Sequence, residues 1–328
     1  AVSENNGGSV LIRFILKRLL WMIPVILGVT ILIFTIMYMV PGDPALIIAQ
    51  PGATETEINE IREEFGLNDP YIVQLGRYMY NLFLRLDFGK SYLTERSVTT
   101  ELFTRLPRTM AIGFAAMILA IGIGIPLGVI AAVHRNGLGD RIAMIIALLG
   151  VSIPQFWLGL MLVLLFSVRL GWLPAQGVDS FKHYILPSIT SSFMGMAGIA
   201  RQSRSSMLEV IRADYVVTAR SKGLTEKEVI TVHALPNALM PIITMAGAQL
   251  AHIFGGTVAI ETVFSVPGIG SYLVNAINSR DYPVIEGSVI LLAVVFSIVM
   301  LLVDLTYGFV DPRIKAQFAG NKVKGGKR

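Results

Sequence analysis

The chain contains few residues whose type and spacing could support catalysis or metal binding. It has no cysteine, and its four histidines form no helical i, i+4 pair that could hold a metal; they are His134, His183, His233 and His252. The phosphate-binding pattern GxxxxGK[ST] is also missing, so the chain cannot bind ATP through such a loop. These patterns argue against a metal-dependent mechanism and predict that the chain itself binds no cofactor.

Ionisable side chains are rare within the apolar parts of the sequence. Only Asp304, Glu261 and His252 lie near the interior of an apolar run, and all three lie toward its ends. A proton or ion relay needs such groups deeper in the membrane, and an intramembrane enzyme needs a nucleophile with its base. The sequence therefore favours neither mechanism, and we interpret Asp304 as a structural partner for a backbone or basic group.

The elements that position these residues are predicted to be membrane helices. The 328 residues are 54% hydrophobic and only 15% charged, with a mean hydropathy of +0.66, whereas about a quarter of a soluble domain is charged. Charge-free runs long enough to cross a bilayer predict six spans in an all-α polytopic membrane protein: 19–40, 109–133, 142–168, 184–200, 235–260 and 287–303.

The distribution of basic residues predicts the orientation. With both termini in the cytoplasm, 17 of the 27 Lys and Arg residues are cytoplasmic, and outside the long segment 41–108 only three lie on the opposite side. This asymmetry follows the positive-inside rule. It also accounts for the net charge of +5 without a nucleic-acid partner.

These assignments divide the chain into segments. We expect a disordered or added tail (1–10), a first transmembrane helix (11–40), an extracytoplasmic helical segment (41–108), a core of five further spans (109–310) and a cytoplasmic basic tail (311–328). Within the core, a cytoplasmic loop covers 201–236 and an outer loop covers 261–286.

The extracytoplasmic segment is predicted to hold two amphipathic helices. Thr54 and Glu57 have the spacing of a capping box, and a second helix is expected after Pro70. The apolar faces are expected from two triplets: Ile58, Ile61 and Phe65, then Tyr78, Leu82 and Leu86. These helices either pack on the membrane surface or form a platform for an external partner.

The cytoplasmic loop contains what we call the elbow, residues 212–236. Gly223 is a natural helix stop, and Thr225 with Glu228 three residues later predicts a new, capped helix. Val229, Val232 and His233 are expected on one side of that helix, and Pro236 marks the start of the fifth span. The elbow is either a docking element for a partner or a helical hairpin on the lipid headgroups.

The elbow resembles a known family motif. Its spacing is similar to that of the EAA loop of bacterial ABC importer permeases: three residues separate Ala219 from Gly223, nine separate Gly223 from His233, and one separates His233 from Leu235-Pro236. Val217, Thr218 and His233 depart from the residues usual in that loop. Six sequence segments resemble the oligopeptide and dipeptide branch of the family: DYVVTARSKGL, HALPNALMP, PGDP (41–44), FGLNDP (65–70), ETVFSVPGIG (261–270) and LVDLTYGFVDPR (302–313). The resemblance covers roughly residues 11–315 and points to the B-type permease subunit.

The resemblance implies a type I importer permease fold, a multi-pass location in the bacterial inner membrane, and a set of partners. These are a homologous second permease in a heterodimer, two cytoplasmic ATPase subunits that bind ATP and Mg, an extracytoplasmic solute-binding protein, and a peptide substrate. In the family the elbow inserts into a cleft of the ATPase. Carried over to this sequence, that contact comprises Ala219, Arg220, Lys222, Gly223, Leu224, Thr225, Glu226 and Pro236.

Two further sets of residues are candidates for the transport path and its outer gate. Small and soft residues in the fourth and fifth spans either line a path or allow close helix packing: Ser191, Met194, Met196, Gly255 and Thr257. The resemblance implies an outer gate that meets the binding protein, although an interfacial plug fits these residues equally well: Phe264, Pro267, Gly268, Tyr272, Asp281 and Tyr282.

The sequence thus predicts an ATP-driven peptide importer permease that is not itself an enzyme. Nickel, glutathione or another small solute is an alternative substrate within the same family. A secondary transporter is a rival class, but it would be expected to show internal repeats and midplane charges, and the chain lacks such charges.

Overall fold

A computed structural model describes residues 5–49 and 52–310, and within these the chain is helical. One isolated antiparallel bridge, Lys90 to Ser97, is the only strand-like pairing in the described residues. The all-α class predicted from the sequence is confirmed. The basic tail 311–328 lies outside the described residues.

The helices follow one another with short connections. In order they are α1 (Asn5–Met39), α2 (Pro44–Ile48), α3 (Glu55–Glu64), α4 (Tyr71–Arg85), α5 (Val98–Val133), α6 (Leu138–Ser152), α7 (Gln155–Leu162), α8 (Lys182–Val210), α9 (Asp214–Ser221), α10 (Glu226–Glu228), α11 (Leu235–Val263), α12 (Ile269–Ser279) and α13 (Tyr282–Val310). Two π-helical segments, Val163–Arg169 and Val229–Ala234, extend α7 and α10.

Four of the described helical stretches are long and apolar enough to cross a membrane: Phe14–Met39, Val98–Val133, Glu226–Leu250 and Tyr282–Thr306. A bent pair, Leu138–Ser152 with Gln155–Arg169, raises the count to five. The predicted fourth span, 184–200, falls inside α8, which is long enough but is not among these stretches. The count of six spans therefore remains a prediction.

The predicted third span is not one straight helix. The chain bends by 107° between Ser152 and Gln155. Ile153 is extended (φ −82°, ψ 124°) because the ring of Pro154 disfavours the helical conformation of the preceding residue. A single apolar run thus becomes two helices that meet at a proline.

The centre of the bundle is built on α8, which packs against α5 and α11. Small residues bring these helices close together: the Cβ position of Gly195 on α8 would lie 3.5 Å from Ala120 Cβ on α5 and 3.5 Å from Ile253 Cδ1 on α11. At Gly124 a side chain is excluded outright, since a Cβ there would lie 2.8 Å from the Met196 carbonyl oxygen. Dispersion between closely packed backbones stabilises such contacts in a membrane.

The outer helical segment forms much as the sequence predicts. Thr54 and Glu57 complete the capping box of α3, and α4 begins directly after Pro70. One detail of the predicted apolar face is wrong: Leu86 does not continue the face of Leu82, because α4 ends at Arg85 and Leu86 adopts the left-handed conformation (φ 54°). Leu82 is buried, whereas Leu86 is largely exposed.

Helix α1 packs along α13. Arg18 on α1 forms a 2.8 Å ion pair with Asp304 on α13, which confirms the structural role predicted for Asp304. Helix α1 already begins at Asn5, within the tail that the sequence predicts to be disordered.

Candidate functional site

The elbow has the local structure that its capping residues predict. Helix α9 ends at Ser221, and Gly223 adopts φ +79°, a conformation that side chains other than Gly and Asn rarely take. A new helix begins after Thr225, whose Oγ1 accepts a 3.3 Å hydrogen bond from the Glu228 backbone N–H. The Thr225 N–H in turn donates to Glu228 Oε2 at 3.0 Å. The turn direction is therefore fixed by residues within the elbow itself.

An ion pair links the two arms of the elbow. The Arg220 guanidinium on α9 donates to both oxygens of Glu226 on α10, at 2.8 and 3.1 Å. This hydrogen bonding raises the pKa of Arg220 further above its ordinary value. Both side chains remain partly open to solvent, 35% for Arg220 and 55% for Glu226, so the pair shapes the turn without burying charge.

The surface of the elbow mixes apolar and polar side chains. Tyr215, Val217 and Leu224 are exposed, with Val217 about half accessible (51%). Ala219 and Val216, by contrast, are buried and attach α9 to the rest of the protein. Lys222, Gly223, Thr225 and Pro236 are also exposed. Seven of the eight predicted contact residues are thus exposed or half-buried, whereas Ala219 is buried.

The second arm of the elbow differs from the prediction in two respects. It is not a separate helix, since α10 passes through the π-helical segment Val229–Ala234 directly into α11. Its apolar residues do not share one side either: Val229 is fully buried and Val232 is 61% exposed. A π turn contains more residues than an α turn, so each residue is rotated through a smaller angle than α-helical spacing assumes. Pro236 lies in the first turn of α11 as predicted.

The five residues predicted for a transport path lie mainly in the packed interior of the chain. Ser191, Met196 and Thr257 are buried, and Met194 is half-buried. The Thr257 hydroxyl donates to the Phe254 carbonyl at 2.8 Å, whereas the buried Ser191 hydroxyl has no hydrogen-bond partner within the described ranges. Gly255 differs from the others because it is exposed and faces open space.

The residues predicted for an outer gate cluster at the opposite end of α11 from the elbow. Phe264, Gly268, Asp281 and Tyr282 are buried there. Three of the predicted gate residues contact neighbouring polar or charged groups. The Pro267 carbonyl accepts a hydrogen bond from Arg108 at 3.1 Å, and the Tyr272 ring lies 4.3 Å from the Arg105 guanidinium carbon. The Asp281 carboxylate accepts hydrogen bonds from Ser91 Oγ at 2.5 Å and from the Tyr92 backbone N–H at 3.1 Å.

The sequence did not identify the group that organises this end. Glu261 is completely buried, and its carboxylate accepts hydrogen bonds from Thr109 Oγ1 at 2.6 Å and the Ser271 backbone at 2.9 Å. Thr109 Oγ1 accepts in turn from Ile269 N at 3.0 Å. We call these four residues the Glu261 cluster; it joins α5, α11 and α12. The sequence shows only that Glu261 is an acid at the end of an apolar run.

Comparison with known proteins identifies the family. Residues 124–316 match the model of the binding-protein-dependent transport system inner membrane component, and residues 11–113 match the model of the N-terminal part of such membrane components. The glutathione transport system permease protein GsiC of Salmonella paratyphi A is 42% identical over 93% of this chain and 99% of its own length. The dipeptide transport system permease protein DppB of Alkalihalophilus pseudofirmus is also 42% identical, over 93% of this chain and 100% of its own length.

Among solved structures, the inward-facing MetNI methionine ABC transporter resembles this chain with a TM-score of 0.55 at 20% identity. The match covers 64% of this chain and 96% of the solved chain, and it supports the fold. Together with the membrane-length helices, these matches show that the chain is a multi-pass membrane permease belonging to the family of binding-protein-dependent transport system inner membrane components.

Proposed function

We propose that this chain is the permease subunit of an ATP-driven importer that takes up short peptides delivered by a solute-binding protein. The observation that carries the proposal is the nearly end-to-end similarity, at 42% identity, to a dipeptide permease and a glutathione permease. Both named solutes are short peptides. The same framework of membrane helices therefore serves peptide solutes in both relatives.

The elbow is the proposed contact with an ATPase subunit. Its turn is held by its own capping box and ion pair, yet Val217 and Leu224 remain exposed beside charged groups. Apolar side chains interspersed with charge at a surface are typical of a protein interface. The sequence lacks a phosphate-binding loop, so two partner ATPases bind and hydrolyse ATP with Mg.

The remaining arrangement follows from the same proposal. A homologous second permease completes the path in a heterodimer, both termini and the elbow face the cytoplasm, and six spans include α8 and the bent pair α6 and α7. The end of α11 with the Glu261 cluster then faces the solute-binding protein. The path uses the open surface near Gly255, since the other predicted path residues are mostly enclosed within the chain.

Uptake measurements test this function directly. Cells that lack other peptide importers and express this chain with its partner subunits should accumulate labelled dialanine. Uptake should continue when a protonophore collapses the proton gradient while ATP is maintained, and it should stop when ATP is depleted. Uptake that follows the proton gradient instead would contradict the proposal and support a secondary transporter.

Glutathione is the second candidate substrate, favoured by the 42% identity to the glutathione permease. The two candidates are separated by competition in the same cells. Excess unlabelled glutathione should leave dialanine uptake unchanged if dipeptides are the substrate. Strong inhibition by glutathione, with direct accumulation of labelled glutathione, would assign the tripeptide instead.

A further inference from the structure

A cavity of about 410 Å³ lies between the outer helical segment and the membrane helices. Its walls come from the end of α1, the loop and helix that follow, α3, α4, the segment around residue 88 and the first turn of α13. Its volume falls in the range of small-molecule binding sites. It is separate from the elbow and from the predicted path residues, none of which lines it.

Three carboxyl groups line this cavity, those of Asp43, Asp87 and Glu286, and only Glu286 is buried. Glu286, in the first turns of α13, lines the wall and is only 7% exposed. In the part of the chain that the structure describes, it forms no ion pair and no hydrogen bond. A buried carboxylate without a partner is costly unless it is neutralised or meets a counter-ion.

Two tyrosine hydroxyl groups share this unpaired state. The Tyr78 hydroxyl on α4 and the Tyr282 hydroxyl on α13 line the cavity, are buried, and have no hydrogen-bond partner among the described residues. Burial, and secondarily the charge of Glu286, raises the pKa of Tyr78. Burial, followed by the charge of Glu286, is also the main cause of the raised pKa of Tyr92. The charge of Glu286 therefore acts on the phenol groups of Tyr78 and Tyr92.

Aromatic rings make up much of the remaining wall, and they carry partial negative charge on their faces. They are Phe34, Tyr38, Phe65, Phe88 and Tyr92, in addition to the two tyrosines above. Such rings around a carboxylate attract an organic cation by cation–π interaction.

The basic residues that line the cavity do not neutralise Glu286. Arg62 pairs with Asp43, and Arg77 pairs with Asp69. Both arginine side chains are partly solvent-exposed (34% and 47%). The lining therefore has two paired cations and three carboxyl groups, of which Asp43 is paired, Asp87 is exposed and Glu286 is buried and unpaired.

We propose that this cavity binds an organic primary ammonium group, with the Glu286 carboxylate as its counter-ion and the hydroxyl groups of Tyr78 and Tyr282 as hydrogen-bond acceptors. Three ammonium N–H donors match these three acceptors. A divalent metal does not fit, because no group of three His, Asp or Glu residues with metal-binding geometry is found in the described ranges. The ammonium group belongs either to a free amine or to the amino terminus of a peptide.

Calorimetric titration of the full-length chain in lipid nanodiscs tests the site. The probe is n-butylammonium, and n-butanol is its uncharged counterpart. We expect butylammonium to bind and butanol to bind much more weakly, because only the cation pairs with Glu286. No binding by butylammonium, or equal binding by both probes, would overturn the proposal.

Matched variants locate the site. Glu286→Gln keeps the size of the side chain but cannot form a carboxylate, so folding is preserved and the affinity for butylammonium should fall about 30-fold. Tyr282→Phe should lower it about fivefold. Glu60→Gln, on the exposed face of α3, is the control and should leave it unchanged. An affinity that Glu286→Gln does not change would also refute the site.

A second pair of probes identifies the source of the ammonium group. Triglycine has a free amino terminus, and N-acetyltriglycine does not. If triglycine binds more tightly than butylammonium and the acetylated peptide does not bind, the site takes peptide amino termini; if triglycine binds no better than butylammonium, it takes free amines. Because the readout is binding and not uptake, its failure is separable from failure of the proposed transport function.

Discussion

The two ends of α11 are stabilised in opposite ways. At one end, the elbow holds its turn by an exposed ion pair and leaves apolar side chains open to the surroundings. At the other end, Glu261 is fully buried and its polar partners come from two other helices. The first end leaves apolar side chains exposed, as the proposed docking surface requires, and at the second end the polar groups are paired within the chain. Changes at the two ends should therefore affect different properties.

The largest loss of stability is expected from Glu261→Ala. Truncation leaves the Thr109 hydroxyl and the Ser271 N–H without their buried acceptor, and each unsatisfied group costs about 1–3 kcal/mol. We expect the free energy of unfolding in mild detergent to fall by about 3 kcal/mol in total. Glu261→Gln retains one acceptor oxygen and should lose markedly less. If Glu261→Ala were as stable as the wild type, the Glu261 cluster would not be what stabilises this end of α11.

Asp281→Ala should have the next largest effect. The Asp281 carboxylate fastens the segment around Ser91 and Tyr92 to the start of α13, and its removal should cost about 2 kcal/mol. Thermal unfolding provides the measurement. Asp281→Asn keeps an acceptor and is the matched control; if it is as unstable as the alanine variant, charge and not hydrogen bonding holds the segment.

Gly223→Val tests the elbow. A β-branched residue at φ +79° costs about 1 kcal/mol, so the chain should still insert and fold, but the distorted turn should abolish ATP-driven peptide uptake. Gly223→Asn tolerates the left-handed conformation and should retain most of the uptake. Normal uptake by the valine variant would remove the elbow from the coupling role.

Arg220→Ala should change stability least. The Arg220–Glu226 pair is solvent-exposed, and such pairs contribute less than about 1 kcal/mol. Unfolding should be almost unchanged, while uptake should decrease because α9 and α10 lose the contact that joins them. A loss of stability as large as that of Glu261→Ala would show that the elbow is not an open surface.

Local signals in the sequence predicted local structure well. The capping boxes at Thr54 and Thr225 and the start of α4 after Pro70 depend on residues within one helical turn, and each is present. The bend between Ser152 and Gln155 was not predicted, because the span 142–168 was assigned from its lack of charged residues alone. The partnership of Thr109 and Glu261 joins residues 152 positions apart, and no local pattern encodes it. The cavity lined by Glu286, Tyr78 and Tyr282 is not predictable for the same reason, since its walls come from distant parts of the chain.

The π-helical segment Val229–Ala234 leaves no break between the elbow and the membrane helix that follows. From Glu226 to Val263 the helix has a length of roughly 55 Å. Such an element acts mechanically as a lever: a tilt of about 5° at one end displaces the other by roughly 5 Å. Under the proposed ATPase contact, a tilt applied at Thr225 would displace Glu261 through one continuous helix, in which Pro241 is a point where bending can occur.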